Sequence, residues 1–188
     1  FRTKYHADGT IQKHKARLVI KGYSKQEGVD YKETLSPVAR VEIVRTFLAL
    51  NAQSSWPIYQ FHVKSVFLND DVEEEVYISQ PEGFVICGEE EKVYRLKKAL
   101  YGLKQAPRVW YFKIDSYFQE NGFEKSMNES TLYFKTVCKN DFLVVCLYID
   151  DMIYMGSSGS VVADFKACMV KKFEMSDLGM LHYFLGLE

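Results

Sequence analysis

Two adjacent acidic residues between two apolar runs constrain the fold of this chain most strongly. The runs Phe142–Tyr148 and Met152–Met155 are rich in β-forming residues, and only Ile149, Asp150 and Asp151 separate them. A connection this short joins two strands as a tight antiparallel hairpin. The sequence therefore predicts a hairpin that carries two carboxylates at its tip.

The crowding of Asp150 and Asp151 suggests a metal site. Carboxylates beside buried strands are costly unless a cation compensates them. Mg²⁺ prefers oxygen ligands and commonly takes one or two carboxylates plus substrate phosphates. A pair of such ions, about 3.5–4 Å apart, can activate an attacking hydroxyl and stabilise the leaving oxygen in phosphoryl transfer. The alternative interpretation is that the two residues only form a turn.

The order of predicted elements favours an α+β fold. Asp8-Gly9 between extended segments predicts a hairpin that runs from Arg2 through Ile11 to Lys21. Several strands are joined by tight turns, which favours an antiparallel sheet over a doubly wound parallel one. We predict helices at 38–52, 107–122 and 160–172, the last capped by Ser160, and further strands at 58–63, 76–79, 93–96, 132–135 and 182–187.

Composition excludes several classes of protein. A hydrophobic fraction of 47% supports a packed core and argues against disorder. The longest apolar run, Phe142–Ile149, is too short to cross a membrane, and no signal peptide is visible. The four cysteines have neither C-x-x-C nor zinc spacing, which favours a reducing compartment. We therefore expect an intracellular, cytoplasmic protein with no membrane partner.

The charge balance limits how this chain could hold nucleic acid. The 24 Lys+Arg residues nearly match the 25 Asp+Glu residues, so the chain lacks an overall basic footprint. Any nucleic-acid contact must use local basic clusters, which occur within 13–21 and within 95–108. The alternative is that both clusters are solvated surface stretches.

Short motifs follow one another along nearly the whole chain. They are KARLVIKG at 15–22, EGVDY at 27–31, SPVA at 36–39, LYGLKQAPR at 100–108 followed by Trp110, YIDD at 148–151, DLG at 177–179 and YFLG at 183–186. In this order they resemble the reverse transcriptases of copia-type (Ty1/copia) LTR retrotransposons, which are part of a Pol polyprotein.

The resemblance implies a right-hand polymerase fold with fingers and palm, an antiparallel palm sheet with packed helices, and no thumb. We expect a single reverse-transcriptase domain over 1–188, with about 1–57 mainly fingers and about 58–188 mainly palm with a fingers insertion. The implied activity is RNA-directed DNA polymerisation with Mg²⁺, or with Mn²⁺ as the alternative. The implied partners are an RNA or DNA template with primer, dNTPs, and the integrase and RNase H segments of the polyprotein, in a virus-like particle.

The resemblance also implies roles for individual residues. Asp150 and Asp151 would be the metal ligands. Lys15 and Arg17 would contact the incoming triphosphate, and their alternative is a pair of exposed cations on a hairpin. Phe67 would lie under the sugar of the nucleotide, or else be a core aromatic. The remaining implied residues are Gly102 and Gln105 beneath the nascent base pair, and Phe184, Leu185 and Gly186 in a primer-grip-like segment.

One position departs from the family's pattern. The family has an aspartate in a Leu-Asp-Val-Lys-type motif before Phe67, whereas this chain reads Phe-His-Val-Lys, with His62 at the aspartate position. Imidazole is a poor ligand for Mg²⁺ and cannot bridge two hard cations as a carboxylate does. Asp70 and Asp71 are no obvious substitute, because they lie beyond the predicted strand. We therefore expect this chain to be catalytically dead or nearly so.

Other hypotheses remain open. A non-catalytic nucleic-acid-binding remnant predicts salt-dependent binding with no metal requirement. A purely structural domain predicts that Asp150 and Asp151 only turn a hairpin and tolerate replacement by asparagine. A third hypothesis, in which the imidazole helps to bind Mn²⁺ or Zn²⁺, also remains open.

Overall fold

The computed structural model describes residues 2–6, 8–16, 18–22, 28, 34–68, 75–138, 141–182 and 184. Contacts divide the chain into two compact units: unit 1 comprises 1–34 and 67–106, and unit 2 comprises 35–66 and 107–188. The predicted α+β class is confirmed by the three helices and the mostly antiparallel strands of the described residues. Within this described part, no helix is long and apolar enough to cross a membrane.

The elements follow one another with strands and helices interleaved. In chain order they are β1 (Arg2–Tyr5), β2 (Ile11–Lys15), α1 (Val41–Ser54), β3 (Tyr59–Val63), β4 (Tyr77–Ser79), β5 (Val93–Arg95), α2 (Ala106–Glu120), β6 (Glu124–Lys125), β7 (Leu132–Cys138), β8 (Asp141–Tyr148), β9 (Asp151–Gly156), α3 (Gly159–Lys172) and β10 (Met175–Met180).

Unit 2 is built on a six-stranded sheet with the order β10-β3-β9-β8-β7-β6. Every neighbouring pair in it is antiparallel. The β8–β9 pairing confirms the hairpin predicted from the short connection between the two apolar runs. Strand β3, which is far away in sequence, inserts between β9 and the edge strand β10.

Helices cover both faces of this sheet. On one face, Phe47 of α1 belongs to a buried cluster with Ile153 and Met155 of β9. On the other face, Tyr154 of β9 contacts Phe165 of α3, with ring centroids 5.0 Å apart. Successive residues of a strand point to opposite faces, so a strand buried on both sides is apolar at every position. This explains the unbroken apolar runs of β8 and β9.

Two helix starts differ from the prediction. Helix α1 begins at Val41, because residues 34–40 are not helical and Arg40 is the extended N-cap residue. The Ser36 hydroxyl instead donates a hydrogen bond to the carbonyl oxygen of Pro107 (3.3 Å). The N-cap of α3 is Ser158, not Ser160, since the Ser158 side chain accepts the Val161 N–H.

The edge of the sheet also differs from the prediction. Strand β10 was not predicted, and it pairs with β3. Asp177 and Gly179 interrupt its apolar pattern, and Gly179 has a positive φ of 77°. The strand predicted at 182–187 lies mostly outside the described residues. Next to the other edge, β7 extends to Cys138, beyond the predicted end at Lys135.

Unit 1 contains two small hairpins and a small apolar cluster. Strands β1 and β2 pair around the predicted Asp8-Gly9 turn, where Gly9 has φ 84° and the Thr10 N–H donates to the Asp8 carboxylate (2.9 Å). Strand β2 ends at Lys15 rather than at Lys21. Strands β4 and β5 form the second hairpin. The buried cluster consists of Val76, Ala99, Leu103 and Ala106.

A buried carboxylate on α2, that of Asp115, ties this helix to the sheet. It accepts hydrogen bonds from the Tyr133 hydroxyl (2.6 Å), the Lys125 ammonium (2.9 Å) and the Gln119 amide (2.8 Å). Burial pushes the pKa of Asp115 up, but these hydrogen bonds outweigh burial and leave the pKa below its ordinary value. The charged form of Asp115 therefore stabilises the fold.

We predict that Asp115→Asn lowers the free energy of unfolding at neutral pH by about 2 kcal/mol, because Lys125 and Tyr133 lose a charged acceptor. A depressed pKa contributes stability above the ordinary value of 3.8, and that contribution is lost as the pH falls below it. The difference in free energy of unfolding between the parent chain and Asp115→Asn should therefore be smaller in acid. Urea unfolding at pH 7 and pH 3 measures this difference. Asp164→Asn, at an exposed position on α3, is the control. The prediction is wrong if Asp115→Asn and the parent chain have the same free energy of unfolding at pH 7.

Candidate active site

The candidate site forms where β3 meets the end of the β8–β9 hairpin. In the β3–β9 register, His62 lies opposite Asp151, and the Val63 N–H donates to the carbonyl oxygen of Asp150 (2.8 Å). Residues directly opposite each other in an antiparallel pair point to the same face of the sheet. The register therefore brings the imidazole of His62 to the carboxylate of Asp151.

Helix α2 contacts the hairpin tip through a hydrogen bond. Tyr148 pairs with Asp151, so Ile149 and Asp150 form a two-residue loop. Ile149 has a positive φ of 54°, which is unfavourable for a β-branched residue. The indole N–H of Trp110 donates to the carbonyl oxygen of Ile149 (2.9 Å). This hydrogen bond anchors the strained loop to α2.

Three side chains converge at the tip. His62 Nδ1 lies 3.1 Å from Asp151 Oδ1. One ligand atom each of His62, Asp150 and Asp151 lies within 4.8 Å of the others. The side chains of His62 and Asp151 are 39% and 28% exposed, so water and ions can reach them. The cluster is thus half-buried rather than sealed.

Opposing influences act on the Asp151 carboxyl. Burial raises its pKa, the hydrogen bond with His62 lowers it, and the neighbouring Asp150 charge raises it again. The net direction is upward from the ordinary value. Asp151 is therefore a carboxylate whose negative charge is only partly compensated by its protein surroundings, as expected where a cation can bind.

The cluster fits a pair of Mg²⁺ ions poorly. Mg²⁺ requires oxygen ligands in near-octahedral geometry, and one of the three donors here is an imidazole nitrogen. In the described part of the chain, no further carboxylate joins the cluster. Asp70 and Asp71 lie outside the described residues. The donor set is one nitrogen and two oxygens, one carboxylate short of the family's expected set.

The other predicted site residues lie in different surroundings. Lys15, Phe67, Gly102 and Gln105 belong to unit 1. Gln105 is buried. The Phe67 ring is partly buried and packs edge-on against Tyr101 (5.2 Å) and on the apolar cluster of unit 1. Phe184 is buried in unit 2 beside Tyr148, with ring centroids 6.0 Å apart. Arg17, Leu185 and Gly186 lie outside the described residues, and the nucleotide and primer roles stay predictions.

Gly102 lies where two segments of unit 1 cross. The Ile20 N–H donates to the carbonyl oxygen of Tyr101 (2.8 Å), and Val19 pairs with Tyr101 in an isolated parallel bridge. Gly102 has φ +92°, and an added Cβ would meet the carbonyl oxygen of Ile20. Only glycine allows this conformation and this close backbone approach.

Two contributors to the site were not assigned to it from the sequence. From the sequence, Trp110 was identified as part of a motif, and its hydrogen bond to the tip was missed. Gln60 lies on β3 two residues before His62, and its side chain interacts with Asp151. The period-2 spacing of strand residues could have indicated Gln60, whereas the Trp110 contact depends on tertiary packing.

An antiparallel sheet with helices on both faces and a carboxylate hairpin at the end of its central strands define an α+β domain with a candidate metal centre. The sequence profile of the family described as "Reverse transcriptase (RNA-dependent DNA polymerase)" matches residues 1–188. The chain belongs to this family.

Similar proteins agree with this assignment and with the resemblance to copia-type elements. The chain is 40% identical over its whole length to the Retrovirus-related Pol polyprotein from transposon TNT 1-94 of Nicotiana tabacum, and covers 14% of it. It is 38% identical over its whole length to the corresponding polyprotein from transposon RE1 of Arabidopsis thaliana, covering 13%. Identity to the Transposon Ty1-BR Gag-Pol polyprotein of Saccharomyces cerevisiae is 32%, over 96% of the chain and 10% of that protein. No solved structure matches the chain.

Replacing Gly102 should separate backbone conformation from close packing. We expect Gly102→Ala to lower the free energy of unfolding of unit 1 by about 3 kcal/mol, because the Ile20 carbonyl must move as well. Gly83 has a similar φ of +81° but open space around it, so Gly83→Ala should cost only about 1 kcal/mol. Hydrogen exchange of unit 1 amides measures both. If Gly102→Ala and Gly83→Ala lower the free energy of unfolding equally, crowding at Gly102 is unimportant.

Removing the indole N–H should weaken the hairpin tip. We expect Trp110→Phe to lower the free energy of unfolding by about 2 kcal/mol, since the Ile149 carbonyl loses its donor and some packing is lost. Trp56→Phe is the matched control, because Trp56 packs against Phe142 away from the tip. Urea denaturation, monitored by circular dichroism, measures the free energy of unfolding of both variants. A loss no larger than that of the control would argue against an anchoring role for Trp110.

Proposed function

We propose that this chain is the fingers-and-palm portion of an RNA-directed DNA polymerase domain whose nucleotidyl-transfer activity is severely reduced. The family assignment supports the polymerase class. The observation that carries the proposal is the convergence of His62 with Asp150 and Asp151 at the hairpin tip. The chain covers 14% or less of the Pol polyproteins named above, so the activity and partners of the whole protein are part of this proposal.

Unit 2 suits the palm role and unit 1 the fingers role. The sheet of unit 2 carries the carboxylate hairpin, and a palm must hold the reacting groups on rigid elements. Unit 1 carries Lys15 at the end of β2, together with Lys13 and Lys21. Local basic clusters of this kind can contact phosphates, although the whole chain is nearly neutral. The proposed substrates are dNTPs and a primer on an RNA or DNA template.

The two carboxylates can serve as oxygen ligands, and the histidine cannot replace the third. Mg²⁺, when bound in such a site, supplies charge stabilisation for phosphoryl transfer. With one carboxylate missing, the residues present hold the ions poorly. The loss of a bridging ligand costs about 4 kcal/mol of transition-state stabilisation, roughly a thousandfold in rate. The rest of the domain would still fold and hold template and primer.

Restoring the carboxylate should restore the chemistry. In primer extension on an RNA template with Mg²⁺, we expect His62→Asp to incorporate nucleotides about a thousandfold faster than the parent chain. Both versions are prepared with the polyprotein segments that follow them in their source locus. His62→Asn, which has neither imidazole nor carboxylate, is the matched control and should stay as slow as the parent.

The other results have distinct meanings. A parent chain as active as His62→Asp would overturn the argument for impairment. If neither version extends primers but both bind template–primer with a strong salt dependence, the non-catalytic nucleic-acid-binding role is the better description.

A further inference from the structure

The cluster at the hairpin tip has the spacing of a chelating site as well as that of an ion pair. His62 Nδ1 and Asp151 Oδ1 are 3.1 Å apart. Zinc–nitrogen and zinc–oxygen bonds of about 2.0–2.2 Å at tetrahedral or octahedral angles place neighbouring ligand atoms about 3.0–3.5 Å apart. One ion could therefore bind both atoms with little movement of either strand.

We propose that His62, Asp150 and Asp151 form a mononuclear site for a divalent transition-metal ion, with Zn²⁺ as the preferred ion and Mg²⁺ disfavoured. The ion would be held by one imidazole nitrogen and two carboxylate oxygens. This leaves a fourth position for water, as in open three-ligand zinc sites. The site requires neither nucleic acid nor polymerase activity, so it can be tested independently of the proposed function.

The choice of ion follows from the donor atoms. Imidazole suits Zn²⁺ and other first-row transition metals, whereas all-oxygen sets suit Mg²⁺. Mg²⁺ also gives up its water ligands reluctantly, and one imidazole contributes little to replacing them. Among common divalent metals, affinity for such mixed sites is higher for Zn²⁺ than for Mn²⁺. The histidine that weakens a Mg²⁺ pair is therefore the residue that favours zinc.

The backbone holds the ligands in place before any ion arrives. His62 and Asp151 are directly opposite each other on paired strands. The Val63 N–H and the Trp110 indole N–H bind the carbonyl oxygens of Asp150 and Ile149. These hydrogen bonds anchor the loop, and one ligand atom each of His62, Asp150 and Asp151 already lies within 4.8 Å of the others. A preorganised site binds an ion with a smaller ordering cost.

The competing explanation is a metal-free ion pair between His62 and Asp151. It accounts for the 3.1 Å contact, but it gives Asp150 no part in binding. It also predicts no preference among divalent ions. Replacement of Asp150 therefore distinguishes the two explanations without disturbing the His62–Asp151 contact.

Calorimetric titration of the full chain with Zn²⁺, Mg²⁺ or Co²⁺ alone tests the proposal. Thiols bind zinc, so the titration uses a background in which Cys87, Cys138 and Cys168 are replaced by serine. We expect one Zn²⁺ per chain, with a dissociation constant about a hundredfold below that for Mg²⁺. Co²⁺ should give visible absorption bands that report nitrogen and oxygen ligation.

Variants of the ligands identify the site. We expect His62→Ala and Asp150→Asn each to weaken Zn²⁺ binding at least about tenfold, because each removes one of three ligands. His182→Ala, which removes an exposed histidine elsewhere, should leave it unchanged. Asp150 is a loop residue, so Asp150→Asn keeps the test informative if His62→Ala disturbs the sheet. Circular dichroism verifies the fold of each variant.

Exchange of the ligand type tests the selectivity. His62→Asp should lower the preference for Zn²⁺ over Mg²⁺ at least about tenfold, because it converts the site to oxygen donors only. The proposal is wrong if the parent chain binds Zn²⁺ no better than Mg²⁺, if His62→Ala and Asp150→Asn bind Zn²⁺ as tightly as the parent, or if His62→Asp leaves the selectivity unchanged. None of these results depends on nucleotide incorporation.

Discussion

The pairing of β3 with β9 is the constraint on which the candidate site depends. In β3, Phe61 and Val63 are buried whereas His62 is only partly buried, so a slip of one residue would exchange the buried and the exposed side chains of this strand. The aromatic contact of Phe61 with Tyr154 (4.9 Å) adds to the cost of such a slip. With the register fixed by the core, His62 must lie opposite Asp151. The site geometry is thus a by-product of core packing.

Local sequence signals were sufficient for the elements whose ends they mark. The short connection between two apolar runs predicted the β8–β9 hairpin, and Asp8-Gly9 predicted the first turn. The signals failed where tertiary contacts decide. Strand β10 contains Asp177 and Gly179 and exists because β3 offers it an edge. Ser160 looked like a helix cap, but Ser158, two residues earlier, provides the side-chain acceptor.

The sequence predicted which residues form the candidate site, but not how they are arranged. Asp150, Asp151 and His62 were identified from motifs, yet nothing local in the sequence shows that an imidazole and a carboxylate 89 positions apart come within 3.1 Å. That distance follows from non-local strand pairing. The anchoring of the tip by Trp110 has the same origin, since a helix stripe predicts burial and not the partner of an indole N–H. The roles proposed for Lys15, Phe67, Gly102 and Gln105 stay predictions based on resemblance.

The His62–Asp151 contact gives the Asp151 carboxylate a partner within the sheet. The imidazole remains partly open to water. Under the proposed function, the histidine at this position reduces nucleotidyl transfer without breaking the strand pairing. In that case natural selection on transposition would act against such a copy, whereas the cellular proteases that remove misfolded chains would not distinguish its protein from that of an active copy.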